Sequence, residues 1–133
     1  MKIDSQEAIS RWLEDSGGLY EALLTELRLT KHGYSVHIKF SVIIDREGRV
    51  LDSPLNVEFD FEGVQRLTLE GDLSEYMLDH PEEINWGLSE VTLVRVLPTE
   101  DGIRFEAGRE SGRRIEIQCR RATLEVLSEP ASK

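Results

Sequence analysis

Between residues 88 and 127 three runs alternate apolar and polar side chains, with two turn signals between them. The runs cover 90–97, 103–107 and 115–127. Pro98, Asp101 and Gly102 interrupt after the first, Gly108 and Gly112 after the second. A period of two is the side-chain period of a strand; wound as a helix, the same residues would scatter their apolar groups around its surface. The pattern predicts a β-meander around which the rest of the chain is organised. In the third run Ile115, Ile117 and Cys119 hold odd positions, whereas Ala122, Leu124 and Val126 hold even ones. One extra residue in a strand re-aims everything after it, so a bulge or sharp bend is expected at residues 120–121.

Upstream, Tyr34, Val36, Ile38, Phe40, Val42 and Ile44 alternate in the same way, after the turn signal Lys31-His32-Gly33-Tyr34. Residues 19–29 fit a helix through Leu19, Tyr20, Leu23, Leu24 and Leu27, and a strand through Leu23, Thr25, Leu27 and Leu29. A strand as long as 34–44 needs a hairpin partner, so 23–31 is read as that strand. Asp45-Arg46-Glu47-Gly48 is a turn, and Val50-Leu51 a short strand stopped at Ser53-Pro54. Leu55, Val57, Phe59 and Phe61 then face one side while Asn56, Glu58, Asp60 and Glu62 face the other. A further short strand covers 64–69.

Residues 3–14 read as a helix. Asp4 is its expected cap, with Glu7 completing a capping box and Ile3 stapled to Ala8. Ala8, Ile9, Trp12 and Leu13 share one face, and Gly17-Gly18 ends it. Residues 72–87 lose periodicity and read as a long loop, and the tail from 128 is loose. The expected fold is one domain over 1–133. It is mainly β, an antiparallel β-sandwich or strongly curved sheet of about seven or eight strands in 23–127, with the N-terminal α-helix packed on it.

The chain's 133 residues are enough for a core without staples. No apolar run approaches the ~18–20 residues that span a bilayer, and the first residues lack the apolar stretch of a secretory signal. One cysteine, Cys119, forms no internal disulfide. These features predict a cytoplasmic protein. The net charge is −10, and all of it lies in residues 1–97, which hold 19 acidic and 9 basic side chains. Such a balance disfavours nucleic acid and anionic membrane and favours a basic partner, although acidity also serves solubility alone.

No catalytic constellation emerges. His32, His37 and His80 share no metal-ligand spacing, no serine sits in a G-x-S-x-G elbow, and no glycine-rich loop precedes a helix. The expectation is therefore a protein that is not an enzyme and carries no metal or cofactor. Glu58, Asp60 and Glu62 place three carboxylates about 7 Å apart along one strand face. They read as a solvated face, a partner-binding face, or a metal or catalytic site. Asp72, Glu75, Asp79, Glu82 and Glu83, with Tyr76 among them, read as a solvated loop or a surface that grips a basic protein. Arg113-Arg114 and Arg120-Arg121, near Glu110, Glu116 and Glu125, suggest cross-strand ion pairs. Cys119 alternates inward and reads as a buried, inert thiol.

Two stretches carry a family resemblance. Phe61-Glu62-Gly63-Val64-Gln65-Arg66-Leu67-Thr68-Leu69-Glu70-Gly71 resembles the F-x-G-V-x-x-L-x-L-x-G segment of small bacterial immunity proteins of the immunity protein 50 kind. Ile117-Gln118-Cys119-Arg120-Arg121, with the alternating residues and Pro130 that follow, resembles their closing strand. The resemblance extends over about residues 20–130. It implies a cytoplasmic protein that binds and neutralises the toxin of a competing or sibling bacterium by occlusion, without a catalytic residue. The expected surface is acidic, from Glu58, Asp60 and Glu62 or from the 72–83 loop. The alternative is a small-molecule-binding β-domain whose apolar cavity is lined by Tyr34, Ile38, Phe40, Phe59 and Phe105.

Overall fold

The computed structural model describes residues 2–16, 19, 22–44, 48–70, 79, 89–90, 93–108 and 114–127. Among them are one α-helix, α1 (Gln6–Asp15), and ten strands: β1 (Lys2–Ile3), β2 (Leu23–Thr30), β3 (Ser35–Ile44), β4 (Val50–Glu62), β5 (Arg66–Glu70), β6 (Ser89–Glu90), β7 (Leu93–Thr99), β8 (Gly102–Gly108), β9 (Arg114–Cys119) and β10 (Arg121–Leu127). Two of these, β1 and β6, are two-residue strands that no alternation pattern can reveal. The strands form two antiparallel sheets, in the orders β1-β10-β4-β3-β2-β6 and β5-β9-β8-β7.

The meander is present as β7-β8-β9, yet it is the smaller sheet. The larger sheet is built on β3 and β4, which pair from Ser35 opposite Glu62 to Ile44 opposite Val50. The two sheets are joined where the chain turns a corner twice. β9 passes into β10 at Arg120, where the sequence parity flips, and β4 leaves its sheet at Gly63. The corners lock together: the Arg120 amide donates to Glu62 O (3.1 Å) and Gly63 O (3.2 Å). Gly63 has φ +68, and a Cβ there would lie 2.9 Å from Arg120 Cβ, so the close approach requires glycine.

The inner faces meet in one core. Phe59 is its centre. Its ring stands edge-on to Phe40 at 5.8 Å, stacks on Phe61 at 5.8 Å and tilts against Phe105 at 5.3 Å. Ile38, Phe40, Phe59 and Phe105 are wholly buried against their neighbours, whereas Tyr34 is 54% exposed. The five residues considered as a cavity lining are thus four core side chains and one surface ring.

Several local expectations are corrected. The helix begins at Gln6 rather than at residue 3. Ser5, in extended conformation, is the cap, its Oγ accepting from Ala8 N at 3.2 Å. Ile3 is drawn instead into β1, opposite Leu124. β4 does not stop at Ser53-Pro54. Its register with β3 slips between Val42 and Ile44, and the β10 pairing reaches no further than Asn56, so Pro54 sits where no ladder donor is required. Pro98 likewise lies inside β7, an edge strand. In β2 a bulge between Leu24 and Glu26 shifts the alternation, burying Leu24 and leaving Leu29 51% exposed.

α1 buries Ile9 and Leu13. Gln6 Nε2 and Ser10 Oγ both donate to Val96 O, at 3.1 and 2.9 Å. The helix therefore covers the open edge of β7 and satisfies a carbonyl that an unprotected edge would present to another chain.

Candidate functional site

Alternation along β3, β4 and β10 gives the larger sheet a polar face opposite its core. Register sets the side chains there in rows. Ser35, Glu62 and Arg121 form one, His37, Asp60 and Thr123 the next, and Lys39, Glu58 and Glu125 a third, with Lys2 of β1 extending it.

The row of three β4 carboxylates exists as expected, but it is not a bare acidic strip. Glu62 lies 3.2 Å from Arg121 and 3.7 Å from Lys31. Asp60 Oδ1 pairs with His37 Nδ1, and Glu58 lies 3.9 Å from Lys39, which also reaches Glu26 at 3.4 Å. Each carboxylate thus faces a cation or an imidazole from a neighbouring strand. Lys31 comes from a tight 3₁₀ turn, Lys31–Gly33, with φ of 54°, 60° and 91° at its three residues. That left-handed run is costly for Lys31 and His32, and it leaves both side chains exposed.

The outer face of the smaller sheet carries a second set of ion pairs. Arg95 donates to Glu106 at 2.6 Å, and Arg104 donates to the same carboxylate at 2.9 and 2.6 Å. Arg104 also lies 3.2 Å from Glu116, and Arg114 holds Glu116 at 2.9 Å and Glu70 at 3.1 Å. Glu106 and Glu116 face each other across β8 and β9, and the arginines Arg95, Arg104 and Arg114 bracket this like-charge pair. Burial would push the Glu106 carboxyl up, but the hydrogen bonds from Arg95 and Arg104 outweigh it and hold its pKa below the usual carboxylate range. The expected pairing of Arg114 and Arg121 is found, with Glu116 and Glu70 for the first and Glu62 rather than Glu125 for the second. Arg113 and Glu110 lie outside the described residues.

Of the residues singled out in 72–83, Asp79 is exposed and helical, where a loop was expected. Asp72, Glu75, Tyr76, Glu82 and Glu83 lie outside the described residues, as does His80. Their sequence context is nevertheless distinctive. Between Arg66 and Arg95 the chain has seven carboxylate residues and no Lys or Arg, so this stretch supplies −7 of the net −10.

Among the described residues no group of three or more His, Cys, Asp or Glu side chains is placed to hold a metal ion. Cys119 is buried, its Sγ 3.4 Å from Arg121 O, and burial pushes its pKa up to about 11. At neutral pH it is a protonated, unreactive thiol. Sequence reasoning missed a cleft of about 440 Å³ beside the β3–β4–β10 rows, walled by Lys2 and Asp4. Its residues come from four separate segments, which only the register brings together. No helix among the described residues is long and apolar enough to cross a membrane.

No family model and no curated protein matches the chain. Among solved structures it is similar to the crystal structure of an uncharacterized protein from Neisseria gonorrhoeae. The two share 13% identity with a TM-score of 0.53, over 96% of this chain and 99% of that one. At that identity the likeness concerns the fold alone.

Proposed function

We propose that the protein is a non-catalytic binder that occludes a basic partner, a bacterial toxin domain, in the manner of an immunity protein acting in the cytoplasm. The observation that carries this reading is the placement of charge. Glu58 and Glu62 on the larger sheet, and Glu70, Glu106 and Glu116 on the smaller one, each lie within ion-pair distance of a Lys or Arg side chain. The stretch between Arg66 and Arg95 has no basic side chain of its own, and it contains Asp72, Glu75, Asp79, Glu82 and Glu83 around Tyr76. A run of carboxylates with no basic residue in the sequence between them, and an amphipathic ring among them, suits a basic protein surface. The resemblance of residues 61–71 and 117–130 to immunity proteins points to the same class of partner.

This reading gives the β4 row a structural role and the 72–83 segment the recognition role. Co-expression with each growth-arresting product of the neighbouring genes tests it. The wild type is expected to restore growth, and so is a variant carrying Glu58→Gln, Asp60→Asn and Glu62→Gln. A variant neutralised at Asp72, Glu75, Asp79, Glu82 and Glu83 is expected to lose protection while remaining folded. Growth arrest despite abundant wild-type protein would remove the reading.

A further inference from the structure

The cleft beside β3, β4 and β10 has the chemistry of a binding site distinct from the acidic segment. On its floor Ser35 is 3% exposed, and its Oγ has no hydrogen-bond partner among the described residues. A hydroxyl buried without a partner is destabilising, and a ligand group that bonds to it would relieve that. His37 lies two residues along the same strand face. Its Nδ1 is engaged by Asp60, which leaves Nε2 for a ligand.

The walls carry both signs of charge. Lys2 and Asp4 are exposed and take part in no ion pair with a described residue. Arg121 and Glu62 line the cleft as a pair. A simple anion would meet the carboxylates of Asp4, Asp60 and Glu62, and a simple cation would meet Lys2 and Arg121. An apolar molecule would find no exposed apolar wall, since Phe61 is wholly buried and Ala122 only 3% exposed. A small molecule with one carboxylate and one ammonium group satisfies both signs. Its carboxylate would meet the cationic side chains of the lining and the Ser35 hydroxyl, its ammonium the carboxylates of Asp4 and Asp60.

We propose that this cleft binds a small zwitterion of the free amino acid class. The test titrates each of the twenty amino acids into the isotopically labelled full-length protein, to about 10 mM, a ceiling set by millimolar affinity. At least one is expected to bind saturably, shifting the amide signals of Ser35, His37 and Thr123. Its decarboxylated amine and its deaminated acid are each expected to bind about tenfold more weakly or worse. Ser35→Ala removes a hydroxyl that bonds to nothing, so it is expected to leave stability unchanged or raised while weakening binding about tenfold. Lys2→Met provides a second variant far from the core. No saturable binding by any amino acid, shifts confined to other residues, or equal binding by the lone amine or lone acid would each overturn the proposal.

Discussion

Glu106 is nearly out of water on the outer face of its sheet, and two guanidinium groups hold it there. Glu106→Gln keeps the shape and removes the charge, leaving Arg95 and Arg104 facing a neutral amide. Because both arginines also reach solvent, the expected loss is modest, about 1 kcal/mol, measured by urea unfolding at pH 7. The pH dependence follows from the lowered pKa. As pH falls, the unfolded chain takes up the proton first. The Glu106 contribution is therefore complete above the ordinary glutamate range and disappears as pH drops through the lowered folded value. Wild type and Glu106→Gln are expected to converge in stability at the acid end of a pH series; a constant gap down to pH 2 would contradict this. Gly102 is a second single-residue constraint. A Cβ there would collide with Cys119 O and approach Arg120 Cα to 3.1 Å, both backbone atoms at the corner. Gly102→Ala is expected to cost about 2–3 kcal/mol, read from the same unfolding curves. At this scale the sequence reveals the direction of a side chain but not its neighbour. Glu58, Asp60 and Glu62 were legible as one face because alternation is local. Their partners Lys39, His37, Lys31 and Arg121 were not, because strand register alone brings them adjacent.

Among elements, α1 shows a cap and an edge acting together. Ser5 supplies its hydroxyl to the Ala8 amide, and the helix so positioned aims Gln6 and Ser10 at the Val96 carbonyl on the edge of β7. Ser5→Ala is expected to lower stability by about 1 kcal/mol. Deletion of the Gln6 and Ser10 side chains by alanine is expected to speed exchange of the β7 amides more than those of β4; equal effects on both strands would argue against an edge-covering role. The helix itself was legible from its apolar face, but its cap was misplaced by one residue, since Asp4 and Ser5 are both good caps. Strand β4 was misread for a different reason. A proline ordinarily interrupts a ladder, and the unpaired stretch that tolerates Pro54 depends on where β10 ends. The bend at Arg120 was legible because a parity flip cannot be absorbed by a straight strand.

For the molecule as a whole, ion pairs offset part of the acidic charge on the two sheets, and the stretch between Arg66 and Arg95 carries the densest excess in the sequence. Ion pairs from Arg95, Arg104 and Arg114 cross the outer face of the smaller sheet, and on the polar face of the larger one Glu58, Asp60 and Glu62 lie against Lys39, His37, Arg121 and Lys31. The stretch between Arg66 and Arg95 keeps its seven carboxylates without a basic residue. The fold class was readable from periodicity, which is set by burial on one face. Division into two sheets was less so, because Gly63 looks like any turn glycine until Arg120 packs on it. Recognition by acidic charge has a definite signature, since solvent-exposed pairs are screened over about 8 Å at physiological ionic strength. The most direct measurement is the dissociation constant for the toxin domain whose growth arrest the protein relieves, across a salt series from about 50 to 500 mM. It is to be taken for the wild type, the Glu58/Asp60/Glu62 variant and the Asp72/Glu75/Asp79/Glu82/Glu83 variant. The account predicts steep weakening with salt for the first two and weak, nearly salt-independent binding for the third. A salt slope lost with the β4 row and kept without the 72–83 carboxylates would contradict it.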